Sequence, residues 1–309
     1  AISRVTGENL QKMLRILGIL LPAAAISMLS FMYAWNEYTY SVQNLSEKNL
    51  APRVPLLEYT GIFDGSEVMR TTSGFKKVNG YFDKQLGSTF YWFGSDNFGR
   101  DIWTRTWSGA RVSLIIAVAA AVIDMLIGLT YGLISGYFGG AVDIVMQRIL
   151  EICNGIPRLV IVTLLLLVLK PGMVTIVIAL MLTEWMSMSR IARAEMLKLK
   201  EREFVLASRT LGAGSMHIIF SEILPNIIGP VITQVMFSIP TAIFTEAFLS
   251  FVGLGIPVPQ CSLGSLISEG FNSFTTHPYQ IIPPIVVMAL LMLSFNLVAD
   301  GLREALEIG

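Results

Sequence analysis

Six stretches of this 309-residue chain are apolar over lengths that reach or approach the roughly 20 residues a helix needs to cross the hydrocarbon core of a bilayer. They run from Met13 to Tyr33, Val112 to Ile134, Val142 to Leu169, Gly172 to Met188, Ile227 to Val252 and Ile281 to Ala299. In lipid no water is present to satisfy the backbone N–H and C=O groups. A run of this kind must therefore bond to itself as a helix. The chain is 53% hydrophobic and 14% charged, whereas a soluble domain carries about 25% charged residues. Lys+Arg and Asp+Glu are equal at 22 each; this lacks the basic excess that nucleic acid or a polybasic lipid-binding surface would call for. The expected fold is all-α, a polytopic membrane protein with six transmembrane helices in contact with lipid.

No small-residue cleavage pattern closely follows the first run, which reads as a retained span rather than a signal peptide. Lys and Arg near span ends set the orientation. Arg4, Lys12 and Arg15 precede the first span, Arg190, Arg193, Lys198, Lys200, Arg202 and Arg209 follow the fourth, and Arg303 follows the sixth. With six spans all three groups fall on one side, so both termini are expected in the cytoplasm. Residues 1–33 then hold the N-terminus and first span, 34–111 an external insertion, and 112–309 a five-span core with a cytoplasmic loop at 190–226. The insertion is too long for a plain loop, and its turn signals and aromatics, Tyr81, Phe82, Phe90, Tyr91, Trp92 and Phe93, suit a small ordered unit. Cys153 falls in a span and Cys261 in an external loop, which argues against a structural disulfide.

One cytoplasmic stretch stands apart, "EREFVLASRTLGAGSMHIIFSEILPN" from Glu201 to Asn226. It reads as two amphipathic helices. Phe204, Leu206 or Ala207, and Leu211 lie near one face of the first; Ser215 caps the second, whose apolar side is Ile218, Ile219, Ile223 and Leu224. Gly212 to Gly214 form a hinge, and Pro225 is expected to break the chain before the fifth span. Such a hairpin suits either a place at the lipid interface or a handle held in the groove of a cytoplasmic partner.

The sequence holds no phosphate-binding Gly-x-x-x-x-Gly-Lys-Ser/Thr loop and no His-Glu-x-x-His or Cys-x-x-Cys spacing, so no enzyme, metal site or bound cofactor is expected in the chain itself. Ionisable residues at membrane depth are costly and are functional candidates by default. Asp124 in the second span and Glu246 in the fifth are the pathway candidates, each with a hydrogen bond between spans as its alternative. Glu151, Glu184 and Asp300 lie nearer the cytoplasmic side and are expected to be solvated or paired with Arg148, Arg190 or Arg303. Gly155, Pro157, Gly229, Pro230 and Pro240 let spans bend or pack closely.

Several stretches together resemble one family. The hairpin is similar to the cytoplasmic loop of binding-protein-dependent ATP-binding-cassette importer permeases, whose pattern is Glu-Ala-Ala, three residues, Gly, nine residues, Ile, one residue, Leu-Pro. Ala207, Gly212, Leu224 and Pro225 match in register; Leu206 stands for the Glu, Ser208 for the second Ala and Glu222 for the Ile. "GSDNFGRDIWTRTWSGARVSL", "GYFGGAVDIVMQRIL", "AFLSFVGLG" and "FNLVADGLREALE" resemble the oligopeptide and dipeptide group, specifically its C-type subunit. The resemblance implies a bacterial cytoplasmic-membrane permease paired with a homologous permease subunit as a heterodimer. It would be fed by an external substrate-binding protein and driven by two ATPase subunits that bind ATP and Mg. It further implies that Ala207, Ser208, Arg209, Gly212, Ala213, Gly214 and Ser215 form the contact and hinge of a coupling helix. Nickel or glutathione uptake within the same group stays open. So do an ion-coupled secondary transporter using Asp124, Glu184 or Glu246 as proton relay, although no internal repeat is visible, and a membrane anchor for a signalling complex.

Overall fold

Apolar sequence of helical length leaves the backbone to satisfy itself, and the chain does so in a series of long helices. The computed structural model describes residues 39–307, apart from 56, 72, 73 and 88. The expected first span, Met13 to Tyr33, and the cations Arg4, Lys12 and Arg15 lie outside the described residues. The described elements are β1 (Ser66–Thr71), β2 (Gly74–Asn79), α1 (Ile102–Phe138), α2 (Gly140–Gly155), α3 (Arg158–Val168), α4 (Met173–Leu199), α5 (Glu203–Thr210), α6 (Ile228–Leu249), α7 (Leu263–Asn272) and α8 (Ile282–Glu307). Among the described residues, four helical stretches are long and apolar enough to cross a membrane: Ile102–Phe138, Met173–Leu199, Ser215–Leu254 and Pro278–Glu304. A fifth arises if α2 and α3, bent by 79° at their junction, count as one broken span. The bend falls at Gly155, Ile156 and Pro157. Pro157 is the N-cap of α3, a position where the missing proline N–H leaves no ladder bond unmade.

The described residues divide into two units, one built on Ile116–Thr245 with the chain from Met292, the other on residues 39–115 with Glu246–Leu291. In the first unit, close approach of two helices sets the packing. Gly128, Gly132 and Gly136 recur every fourth residue on α1 and form a stripe against α4. A Cβ on Gly132 would stand 2.2 Å from the Ser189 carbonyl oxygen, and one on Gly128 would stand 2.4 Å from that of Trp185. Only glycine lets these backbones meet, the small-residue packing that membrane helices favour. Beside this seam, Leu133, Met188, Ala192 and Met196 form a buried cluster with Val205, Ile218, Ile219, Ile223, Ile227 and Val231. Asp143 at the start of α2 receives Arg193 of α4 in a two-pronged bond, Nε to Oδ1 at 2.6 Å and Nη2 to Oδ2 at 2.5 Å, while the Ser135 hydroxyl donates to Oδ1 at 2.5 Å.

The second unit combines two small apolar clusters with a network of polar bonds. β1 and β2 pair antiparallel from Ser66↔Asn79 to Thr71↔Gly74, a small departure from an all-helical chain. Of the insertion's aromatics, Tyr81 and Tyr91 pack with Leu50 in a buried cluster, whereas Phe82 is exposed. The "GSDNFGRD" segment folds around Asp96, whose Oδ1 accepts the backbone N–H of Phe98 and of Arg100 at 2.8 and 3.0 Å. Its Oδ2 receives Arg100 Nε at 2.7 Å and also Arg105. Arg105 and Arg100 reach on to Glu269 of α7, with Nη1–Oε2 at 2.6 Å and Nη2–Oε2 at 2.9 Å respectively. Two arginines, both buried, thus fasten α7 to the beginning of α1 through two carboxylates. Asp101 caps that beginning by accepting the Thr104 N–H at 2.9 Å.

Candidate functional site

The hairpin between α4 and α6 is built by a turn that only certain residues can make. α5 ends in the left-handed backbone of Gly212, at φ 87°. The N–H of Gly212 bonds to the Arg209 carbonyl at 3.0 Å and that of Ala213 to the Ser208 carbonyl at 3.1 Å. This pair of crossed bonds closes a helix C-terminus and favours glycine at the left-handed position. Gly214, at φ −71° and ψ 154°, is the N-cap of the next turn, Ser215–His217. Ser215 lies inside that turn and makes no capping bond, contrary to the expectation from sequence, because Gly214 already occupies the capping position. The helix then widens to a π-helix at Ile218–Ile223 and tightens to a 3₁₀ turn at Leu224–Ile227 that leads directly into α6. Pro225 therefore does not break the chain. It sits at the first turn of the 3₁₀ segment, where its missing N–H is tolerated.

Burial sorts the hairpin into an anchored side and a free side. Val205, Ile218, Ile219, Ile223 and Ile227 are at most 1% exposed, and each such side chain contributes about 1.5–3 kcal/mol when taken from water. The isoleucines follow the expected apolar side. In the first helix the anchor is Val205, while Phe204, Leu206 and Leu211, the residues of its apolar face, are exposed. A helix of eight residues offers about two turns, and a single inward residue suffices to hold it on a base made by the second segment. The proposed contact residues fall on the free side: Ala207, Arg209, Gly212 and Gly214 are exposed and Ser208, Ala213 and Ser215 half-buried. Leu206, Leu211, Met216 and Phe220 add large exposed apolar side chains to the hairpin. Two departures from the family pattern meet here, for the Ser208 hydroxyl donates to Glu222 at 3.2 Å. His217 Nε2 lies 3.8 Å from the same carboxylate oxygen, and the Arg209 guanidinium stacks over the Tyr137 ring at 5.6 Å.

The charged residues at membrane depth separate into two groups. In the first unit, Arg158 at the start of α3 lies 2.6 Å from Glu184 of α4 and donates to the Thr245 hydroxyl of α6 at 3.3 Å. The partner of Glu184 is thus Arg158, not Arg190, because the bend before α3 carries Arg158 to the middle of α4. Asp124 of α1 is 2% exposed, its Oδ1 has no hydrogen-bond partner among the described residues, and it lies within electrostatic reach of both Glu184 and Arg158. In the second unit, Glu246 is 0% exposed. Its carboxylate accepts the Ser113 hydroxyl at 2.8 Å and the Ser250 hydroxyl at 2.7 Å. Ser113 in turn accepts the Leu263 N–H at 3.1 Å, so the acid ties α1, α6 and the start of α7 together. Glu151 pairs with Arg148 at 2.6 Å on an exposed face of α2, as expected. Among the described residues no cluster of three or more His, Cys, Asp or Glu has metal-binding geometry.

Sequence profiles decide the family. The profile described as "Binding-protein-dependent transport system inner membrane component" matches residues 128–308. The chain belongs to this family. It is 48% identical over 217 residues to the oligopeptide transport system permease protein OppC of Bacillus subtilis, covering 70% of this chain and 71% of the relative. To the dipeptide transport system permease protein DppC of the same organism it is 45% identical over 221 residues, 71% of this chain and 69% of that one. The Escherichia coli K12 OppC is 39% identical over 217 residues, 70% and 72% of the two chains. In fold, the chain is similar to one from the inward-facing MetNI methionine ABC transporter, with TM-score 0.54 and 16% identity over 64% of this chain and 94% of the other. As an inner membrane component the chain is a multi-pass membrane protein, and its relatives are named as transport permeases rather than enzymes. The family profile spans the glycine seam, the hairpin and the Arg158–Glu184 pair, while residues 39–127 precede it.

Proposed function

We propose that this chain is one transmembrane permease subunit of an ATP-binding-cassette importer for oligopeptides or dipeptides. It pairs with a homologous permease as a heterodimer in a bacterial cytoplasmic membrane, has six spans with both termini in the cytoplasm, and receives substrate from an external binding protein. Two ATPase subunits supply the energy, and ATP and Mg are bound there. The observation that carries this reading is the hairpin: an element fastened by five buried aliphatic side chains to the α1–α4 seam, with its other side left open. Push on such a handle and the packed base must follow, which is what coupling ATP-driven closure to the spans requires. Ala207, Ser208, Arg209, Gly212, Ala213, Gly214 and Ser215 are the contact and hinge residues in this reading. Asp124 belongs to the pathway. The enclosure of Glu246 by three helical elements supports a clasp between spans.

The test is purification of the chain from its native membrane followed by ATPase and uptake assays with peptides and the binding protein. Co-purification with a second permease and ATPase subunits, and peptide uptake that stops without ATP, are the expected results. Transport by the chain alone in ATP-free vesicles would overturn the reading.

A further inference from the structure

Arg158 occupies a position that a cation does not hold without a reason. α3 ends at Val168, so Arg158 lies about 15 Å along the helix from that end at 1.5 Å per residue. Glu184 is about 16 Å from the start of α4 at Met173. Against a hydrocarbon core about 30 Å thick, both sit near mid-depth. Yet the Arg158 side chain is 45% exposed, while that of Glu184 is 10% exposed. A guanidinium this open at mid-membrane is costly against lipid; such groups face a bundle interior or a water-filled route. The exposed surface around Arg158 therefore suits a bundle interior or a water-filled route and not lipid.

The donors of Arg158 are only partly spent. Its Nη1 donates to the Thr245 hydroxyl and stands in an ion pair with Glu184, and Nε and Nη2 make no hydrogen bond among the described residues. Those two nitrogens form the fork that binds a carboxylate side-on. Behind them stand two carboxylates, Glu184 and the unpartnered Asp124, for one cation. The Glu184 ion pair already draws on the guanidinium's charge and tempers its grip on a second anion. A site on a transport route needs that balance, attractive enough to be entered and weak enough to be left.

We propose that Arg158 contacts substrate in the translocation route, receiving the terminal carboxylate of a peptide in transit on its Nε and Nη2 donors. Glu184 and Thr245 are positioning residues that aim it. The inference rests on the peptide-import reading and adds to it the chemical group recognised and the residue that recognises it. It also gives the bend at Gly155 to Pro157 a function, since only the bend brings Arg158 against α4 and α6.

The experiment uses the complete importer in proteoliposomes, with one unaltered binding protein throughout so that its own selectivity is constant. Uptake of a short peptide is compared with that of the same peptide amidated at its C-terminus. The wild-type importer is expected to favour the free carboxylate, and Arg158→Gln to reduce that preference by about tenfold, the scale of one charge-assisted bond, through KM rather than kcat. Arg158→Lys, which keeps the charge and loses the fork, falls between. Because Arg158→Gln alone strands Glu184, the double variant Arg158→Gln with Glu184→Gln is measured as well, and it must lose the preference too. A preference that survives in both variants overturns the proposal, and so does a wild-type importer that carries both peptides equally. A wild-type importer that carries no peptide overturns the peptide-import reading instead. A second measurement needs no peptide: Arg158→Cys with Glu184→Gln and Cys153→Ser is exposed to a charged, membrane-impermeant thiosulfonate. Labelling is expected; an inert cysteine in an assembled, ATP-hydrolysing complex would place the side chain against lipid or protein and refute the inference.

Discussion

Gly212 and Gly214 sit two residues apart in the hairpin and neither has any atom within 4 Å of where a Cβ would stand, so replacing either by alanine meets no steric obstacle. They differ in backbone conformation, φ 87° at Gly212 and −71° at Gly214. An L-residue forced into left-handed backbone costs about 1–2 kcal/mol. Gly212→Ala should therefore raise the population of hairpins with an opened C-terminal turn by about 5–30-fold. Gly214→Ala gains from a less flexible unfolded chain and loses part of the glycine preference at an N-cap, so its net change should stay within about a factor of two. The readout is hydrogen exchange followed by mass spectrometry on the purified protein. The amides of residues 212 and 213, bonded to the Arg209 and Ser208 carbonyls, exchange in proportion to that opening. Equal acceleration in the two variants, or none in Gly212→Ala, would refute the claim that conformation rather than space selects glycine here. In the importer, Gly212→Ala is expected to weaken peptide-stimulated ATPase activity more than Gly214→Ala.

Other expectations follow from the packing. Gly132→Val would drive a side chain into the Ser189 carbonyl, 2.2 Å from the first added carbon; overpacking of this sort costs about 1–3 kcal/mol or more, visible as a lower unfolding temperature of the detergent-solubilised protein. Arg105→Ala removes one of the two buried cations that Asp96 and Glu269 share, while Arg100 stays on both; the loss of these charge-assisted bonds is about 1.5–3 kcal/mol, detectable as faster proteolysis of the 263–272 helix, whereas Lys77→Ala on the exposed hairpin should change it little. Asp64 is pulled from its ordinary 3.8 to about 2, first by the Ser66 hydroxyl and next by Lys77. A lowered carboxylate adds stability above its unfolded value and loses it as pH falls. Exchange of the Ser66–Asn79 strand pair should consequently speed up between about pH 4 and pH 2, and Asp64→Asn should remove that dependence.

The membrane class and the position of the hairpin were legible from the apolar runs, because helix length in lipid follows from bilayer thickness and needs no tertiary information. The buried isoleucines were legible too, their spacing being set by helical geometry. The anchor of the short helix was not legible: over the eight residues of α5 the pattern of Phe204, Leu206 and Leu211 cannot tell an anchored face from a free one, and Val205 takes the inward place. Pro225 looked like a break because proline is usually one, yet the π-to-3₁₀ change upstream absorbs it. The glycines Gly128, Gly132 and Gly136 and the pairs Asp143–Arg193 and Arg105–Glu269 were present in the sequence but unread. Regular four-residue spacing of glycine in an apolar run was the available signal for the first. For the ion pairs, separated by 50 and 164 positions, nothing local could supply the partner.

The sequence by itself determined that the chain is mostly helical and membrane-embedded and that a hairpin interrupts its apolar runs, since these follow from hydrophobic length and periodicity. Only the tertiary structure decided which charges meet. Arg158 reaches Glu184 because the backbone turns by 79° just before it, and Glu246 is enclosed because two helices and the cap of a third converge on it. Pairing at membrane depth depends on distances across helices, and one-dimensional spacing does not carry those distances.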